Sequence, residues 1–186
     1  SLAANIPERY QVEVLDAASR GLTLTETIKE IEDYQPDVLG LSVVTYRAWS
    51  MTQILKLTEV PIKVVGGPHT TVNHDHIIGQ GADAVFVGDA EISFINWLEN
   101  GCPKGVIKAD PVPLDDLPFP ARNKMDLADY EIEINDDMLF NVGRMRLPMY
   151  SSKGCPLKCI YCDVQQKFFN FKSPERCVDE FEELVD

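Results

Sequence analysis

Val38-Leu39-Gly40-Leu41-Ser42-Val43-Val44 is apolar nearly throughout and carries no charge. A run of this length and β-branched character reads as a strand buried on both faces of a sheet. Lys63-Val64-Val65-Gly66 reads as the next strand, and Ala84-Val85-Phe86-Val87-Gly88 as another buried one. Helical patterns cover 48–57, 71–78 and 91–98, one after each of these strands. Upstream, Val12-Glu13-Val14-Leu15 reads as a short strand ending in Asp16. Thr23 to Tyr34 reads as an amphipathic helix, N-capped by Thr23 or Thr25, with Leu24, Ile28 and Ile31 at helical spacing. Val106-Ile107 adds an edge strand. The alternation predicts an α/β domain over residues 1–108, built on a doubly wound parallel sheet.

Ligands on such sheets bind beyond the carboxyl ends of the strands. The loops there are Ser42-Val43-Val44-Thr45-Tyr46, Gly66-Gly67-Pro68-His69-Thr70-Thr71 and Gly88-Asp89-Ala90-Glu91. Two begin with glycine, where backbone can approach a ligand closely. Ser42, Thr45, Thr70 and Thr71 supply hydroxyls. A bulky polar ligand lying across that edge is expected.

Further along, Cys155-Pro156-Leu157-Lys158-Cys159-Ile160-Tyr161-Cys162 places three cysteines at C-x3-C-x2-C. Thiolates are soft ligands that suit iron–sulfur clusters, and three of them leave one iron of a cubane open to a small molecule. Structural zinc wants four ligands. The three histidines, His69, His74 and His76, lie far upstream. Cys177 reads as core, on a helix N-capped by Ser173 with Cys177, Phe181, Leu184 and Val185 on one face. Asp179, Glu180, Glu182 and Glu183 read as its solvated face. Cys102 sits in a turn.

The chain has 186 residues, 30 of them acidic and 17 basic, for a net charge of −13. That balance argues against a nucleic-acid partner. The longest apolar runs are strand-length, so no membrane partner is expected. Free thiols point to a reducing, cytoplasmic setting.

Met149-Tyr150-Ser151-Ser152-Lys153-Gly154 running into the cysteine loop, with Tyr161 before the last cysteine, resembles the radical S-adenosylmethionine (radical SAM) superfamily. The resemblance implies that Cys155, Cys159 and Cys162 ligate a 4Fe–4S cluster. It implies that S-adenosylmethionine binds the open iron, with Tyr161 near its adenine, and is reductively cleaved to a 5′-deoxyadenosyl radical. Upstream, the L-S-V-V-T loop, V-V-G-G-P-H-T and V-G-D-A-E resemble the cobalamin-binding, Rossmann- or flavodoxin-like domain of B12-dependent members. The cobalamin contacts so implied are Ser42, Thr45, Gly66, Gly67, His69, Thr70, Gly88 and Glu91. The D-x-H-x-x-G motif that delivers a histidine to cobalt is missing, since Asp75-His76-Ile77-Ile78-Gly79 has the wrong spacing. His69 is therefore expected to shape its loop or touch the corrin periphery, and His74 and His76 to lie on a helix surface.

Pro113 to Arg122 resembles the interdomain linker of these proteins, assigning 109–147 to a linker with an acidic stretch from Asp126 to Asp137. Residues 148–186 then correspond to the beginning of a radical SAM (β/α) barrel, with Ser173-Pro174-Glu175 to Leu184 as its first helix. The aromatics of Lys167 to Lys172 either cover the cluster or form an ordinary barrel segment. Relatives carry a further central strand before, and further βα units after, what is present here. The chain is thus expected to be a fragment, poorly stable and inactive by itself.

The function implied is that of a radical SAM enzyme using cobalamin for methyl transfer to an unactivated centre. Its partners would be a small-molecule substrate and a reductant such as flavodoxin or ferredoxin. No side chain is singled out as catalytic. Two other readings stay open: a radical SAM enzyme whose first domain is a scaffold without B12, and a non-catalytic iron–sulfur or zinc-binding protein.

Overall fold

The computed structural model describes residues 1–130, 147–157, 159–162 and 169–185, the last without its side chain. Most of the acidic stretch 126–137, and Lys167-Phe168, lie outside the described residues.

Four parallel strands form the sheet, in the order β1 (Val38–Ser42), β2 (Ile62–Gly66), β3 (Ala84–Val87) and β4 (Gly105–Lys108). The connecting helices are α3 (Ala48–Leu57), α4 (Pro68–Ile78) and α5 (Glu91–Glu99). Two helices precede them, α1 (Leu2–Asn5) and α2 (Leu24–Tyr34). Side chains alternate across the pleat, so neighbouring residues of one strand serve opposite layers. Val65 and Val85 pack with Met51 and Leu55 of α3 and Ile77 of α4. Val64, Ala84 and Phe86 pack on the other face with Phe94 and Trp97 of α5 and Leu2 of α1. There Phe86, Phe94 and Trp97 form a triangle with ring centroids 5.4–5.7 Å apart, in the tilted and edge-on geometries that aromatic quadrupoles favour. Helices on both faces make the parallel α/β sheet doubly wound.

Local chemistry explains the element ends. Thr23 caps α2 in a reciprocal box: its Oγ1 accepts from Glu26 N, while Thr23 N donates to Glu26 Oε2. Pro68 takes a first-turn position of α4, which therefore starts three residues before the expected Thr71. Asn73 (φ −140°, ψ 49°) breaks that helix in the middle.

Two strand expectations are corrected. Val12 to Leu15 forms no strand. A strand exists only where another pairs with it, and among the described residues none lies alongside. Asp16 instead organises a turn, accepting from Ala18 N and Ser19 N and from the Tyr130 hydroxyl at 2.7 Å. β1 is not buried on both faces. It stands at the edge of the described sheet, paired only with β2, and Leu39 and Leu41 are half-buried while Gly40 is exposed.

Beyond β4, three 3₁₀ turns (Leu114–Asp116, Arg122–Lys124, Leu127–Tyr130) carry the chain along. The cysteine loop is flanked by an antiparallel pair, β5 (Ser152–Lys153) and β6 (Asn170–Phe171), and followed by α6 (Pro174–Val185). These elements are too few to define a barrel. The segment before the loop is strapped to α6 and β6. Asn170 Nδ2 donates to Val112 O at 2.6 Å. Both carboxylate oxygens of Asp115 accept from Ser173 N, at 2.9 and 3.1 Å. Arg176 donates to Leu117 O and lies 3.7 Å from the centroid of the Phe119 ring, a cation–π contact.

The face assigned to α6 is also corrected. Ser173 Oγ caps it as expected, accepting from Arg176 N, but Phe181 is exposed and Glu180 is buried, at 1%. Glu180 is not solvated because two cations meet it: Arg122 at 2.7 Å and Lys172. Burial works to raise its carboxyl pKa, and the bonds from Lys172 and Arg122 outweigh that and hold it below its ordinary value.

Candidate functional site at the carboxyl end of the sheet

The ends of β1, β2 and β3 bring the three expected loops to one edge. They are knitted tightly there. Val43 N donates to Gly66 O at 2.9 Å, and His69 N donates to Val43 O at 3.0 Å. Gly67 has φ +102°, and a Cβ there would lie 2.8 Å from Val43 N and 2.9 Å from Val43 O. Its lack of a side chain is thus required by the neighbouring loop. Gly88 (φ +95°) follows β3 and faces Ala109, whereas a Cβ at Gly66 would meet only ordinary contact with Phe86.

The polar side chains divide into those facing outward and those bonded internally. Ser42 and Thr45 are exposed. Thr70 is fully buried, with Oγ1 2.7 Å from both Gly67 O and Phe86 O. His69 is buried at 7% exposure; its Nδ1 lies 3.2 Å from Thr45 Oγ1, and its Nε2 has no hydrogen-bond partner among the described residues. A buried polar atom without a partner is costly, so this nitrogen suits a ligand that brings a hydrogen-bonding group. Glu91, at 5% exposure, accepts from Lys153 Nζ at 2.8 Å and from Ser1 Oγ at 3.0 Å. Burial would raise the Glu91 carboxyl and depress the Lys153 amine, but their pairing prevails in both, so Glu91 is lowered and Lys153 raised. Beside Thr45 stand Tyr46 and Trp49, 82% and 67% exposed. Trp49 and Lys153 were not singled out in the sequence; an aromatic just past a strand-end loop was the available signal for the first.

Of the cysteines, Cys155 is half-buried and Cys159 and Cys162 are exposed, as is Tyr161 at 88%. Cys162 N donates to Cys159 O at 3.1 Å, closing a turn. Three thiols on one short loop suit an iron–sulfur cluster in donor type. Among the described residues, however, no three potential ligands are gathered around a metal position. His76 is exposed, and His74 is half-buried.

The B12 binding domain family matches residues 1–96, just over half of the chain. The chain belongs to the B12-binding domain family. Its strand-end loops are therefore those of a B12-binding domain. Relatives extend past that domain. An uncharacterized methyltransferase of Pyrococcus horikoshii is 26% identical over 96% of this chain and 43% of its own length. An uncharacterized methyltransferase of Synechocystis is 25% identical over 88% of this chain and 28% of its own. The cytidylyl-2-hydroxyethylphosphonate methyltransferase of Streptomyces wedmorensis is 25% identical over 86% and 38%. The chain spans less than half the length of these curated relatives. Among the described residues, no helix is long and apolar enough to cross a membrane.

Proposed function

We propose that this chain is part of a cobalamin-dependent methyltransferase of the radical SAM type. The observation that carries the reading is one polypeptide holding a B12-binding domain and, after it, the Cys155-x3-Cys159-x2-Cys162 loop. The names of the three relatives support the methyl-transfer part.

In this reading Cys155, Cys159 and Cys162 hold a 4Fe–4S cluster, and Tyr161 lies beside S-adenosylmethionine. Ser42, Thr45 and His69 offer cobalamin its polar contacts. Gly66, Gly67 and Gly88 offer backbone at the edge that a flat macrocycle would cover, and Tyr46 and Trp49 shield it from water. When bound, these cofactors supply the transferable methyl group and the radical that activates the substrate; the protein orients them and excludes solvent. The substrate is a small molecule, and a flavodoxin- or ferredoxin-type protein supplies electrons.

The test is anaerobic reconstitution of the full-length protein with iron, sulfide and cobalt analysis. About four irons per chain with stoichiometric cobalt are expected. Iron without cobalt, even after cobalamin is added, would leave the first domain a scaffold. Zinc without iron would overturn the cysteine assignment. Cys159→Ala is expected to abolish both the intact cluster and deoxyadenosine formation.

A further inference from the structure

Lys153 and Asn170, one of the two facing pairs of the β5–β6 ladder, both reach out of it. Lys153 Nζ lies 2.8 Å from Glu91 Oε1 and 3.5 Å from Asp89 Oδ1, in the loop that follows β3. Asn170 donates to Val112 O and accepts from Leu114 N. The base of the cysteine loop is therefore fastened on one strand to the carboxyl end of the parallel sheet and on the other to the segment leaving β4. The Glu91 side chain is 7% exposed and that of Lys153 25%. An ion pair this sheltered is specific in geometry, and removing one partner leaves a charge without compensation.

We propose that Glu91 is a positioning residue: through Lys153 it sets the cysteine loop against the cobalamin edge of the sheet. Glu91 opens α5, on the element that also ends the ligand edge, and Lys153 stands two residues before Cys155. The pair is thus a short mechanical link between the two proposed cofactor sites. A carboxylate engaged with Lys153 and the Ser1 hydroxyl is occupied as a fastener, not offered to a corrin amide. The catalytic consequence rests on the reading above; the latch itself rests on the contacts alone.

The test uses the full-length protein and the variants Glu91→Gln, Lys153→Met and Lys153→Arg. Lys172 N donates to Ser151 O next to the ladder, so its amide exchange reports on the latch. Glu91→Gln and Lys153→Met are each expected to speed that exchange by about tenfold or more, leaving Val65 and Val85 unchanged, while Lys153→Arg keeps protection. Unchanged exchange at Lys172, or equal loss across the sheet, would overturn the proposal. In the reconstituted enzyme the same two variants are expected to retain cobalt and deoxyadenosine formation but to yield about tenfold less methylated product per deoxyadenosine. Loss of cobalt in Glu91→Gln would overturn the assignment by making Glu91 a cofactor contact. If the wild-type protein takes up neither iron nor cobalt, the proposed function fails, and the exchange result alone decides the latch.

Discussion

Thr70 Oγ1 lies 2.7 Å from the backbone oxygen of Phe86, and both residues are buried. The hydroxyl joins the first turn of α4 to β3 across the sheet edge, and the same oxygen is 2.7 Å from Gly67 O. A group placed by sequence among ligand-binding hydroxyls is here holding two strand ends at a fixed spacing. Replacing it with valine conserves shape and leaves two carbonyls with one fewer donor. Thr70→Val is expected to lower stability by about 1–3 kcal/mol in urea unfolding, with no change in the ligand-facing chemistry of Ser42 or Thr45.

Gly67→Ala is expected to be worse. A methyl group would press on both backbone polar atoms of Val43, at a φ that L residues rarely adopt. Strain and displacement together should cost about 3 kcal/mol. Because the loop must shift, cobalamin retention should fall along with the unfolding midpoint.

Glu180 gives the clearest pH dependence. Its pKa is held below the ordinary 4.5 in the folded state. Its stabilisation is complete above that value, declines as pH falls below it, and is gone once the depressed folded pKa is passed. Acid titration of the unfolding midpoint should show this decline, and Glu180→Gln should flatten it. The substitution leaves Arg122 and Lys172 facing a neutral group, so at neutral pH it should also destabilise by about 3–5 kcal/mol.

His69→Ala is expected to leave cobalt coordination, read from the visible cobalamin spectrum, as it is in the wild type. The side chain is buried, and its Nδ1 is engaged with Thr45. A changed spectrum would assign His69 Nε2 to the metal.

The strands β2 and β3 were legible to within a residue because both faces are covered and the apolar run is continuous. The cap of α2 was legible as a choice between Thr23 and Thr25, and the reciprocal bonds between Thr23 and Glu26 place it at Thr23. β1 looked like β2 in sequence, yet edge or centre is decided by the neighbour and not by the strand. Val12 to Leu15 carried the composition of a strand, and composition cannot supply a pairing partner. Glu180 was indistinguishable from Asp179 or Glu182 because its partner Arg122 lies 58 residues away. The Glu91–Lys153 contact, 62 residues apart, was hidden for the same reason. Local rules read spacing; they do not read which distant cation arrives. The cysteine spacing was plain from the start, though spacing alone does not gather the thiols.

The strap from Val112 to Arg122 bears on how the protein can be divided. Asp115 supplies part of the N-terminal cap of α6, Phe119 a stacking surface for Arg176, and Arg122 a counter-charge for Glu180. Those residues precede the cysteine loop in sequence yet belong structurally to the helix after it. A cut between Arg122 and Pro148 would separate α6 from groups that start and neutralise it. A boundary before Val112, close to Ala109, keeps the strap with α6, although it parts Glu91 from Lys153 and Asp16 from Tyr130.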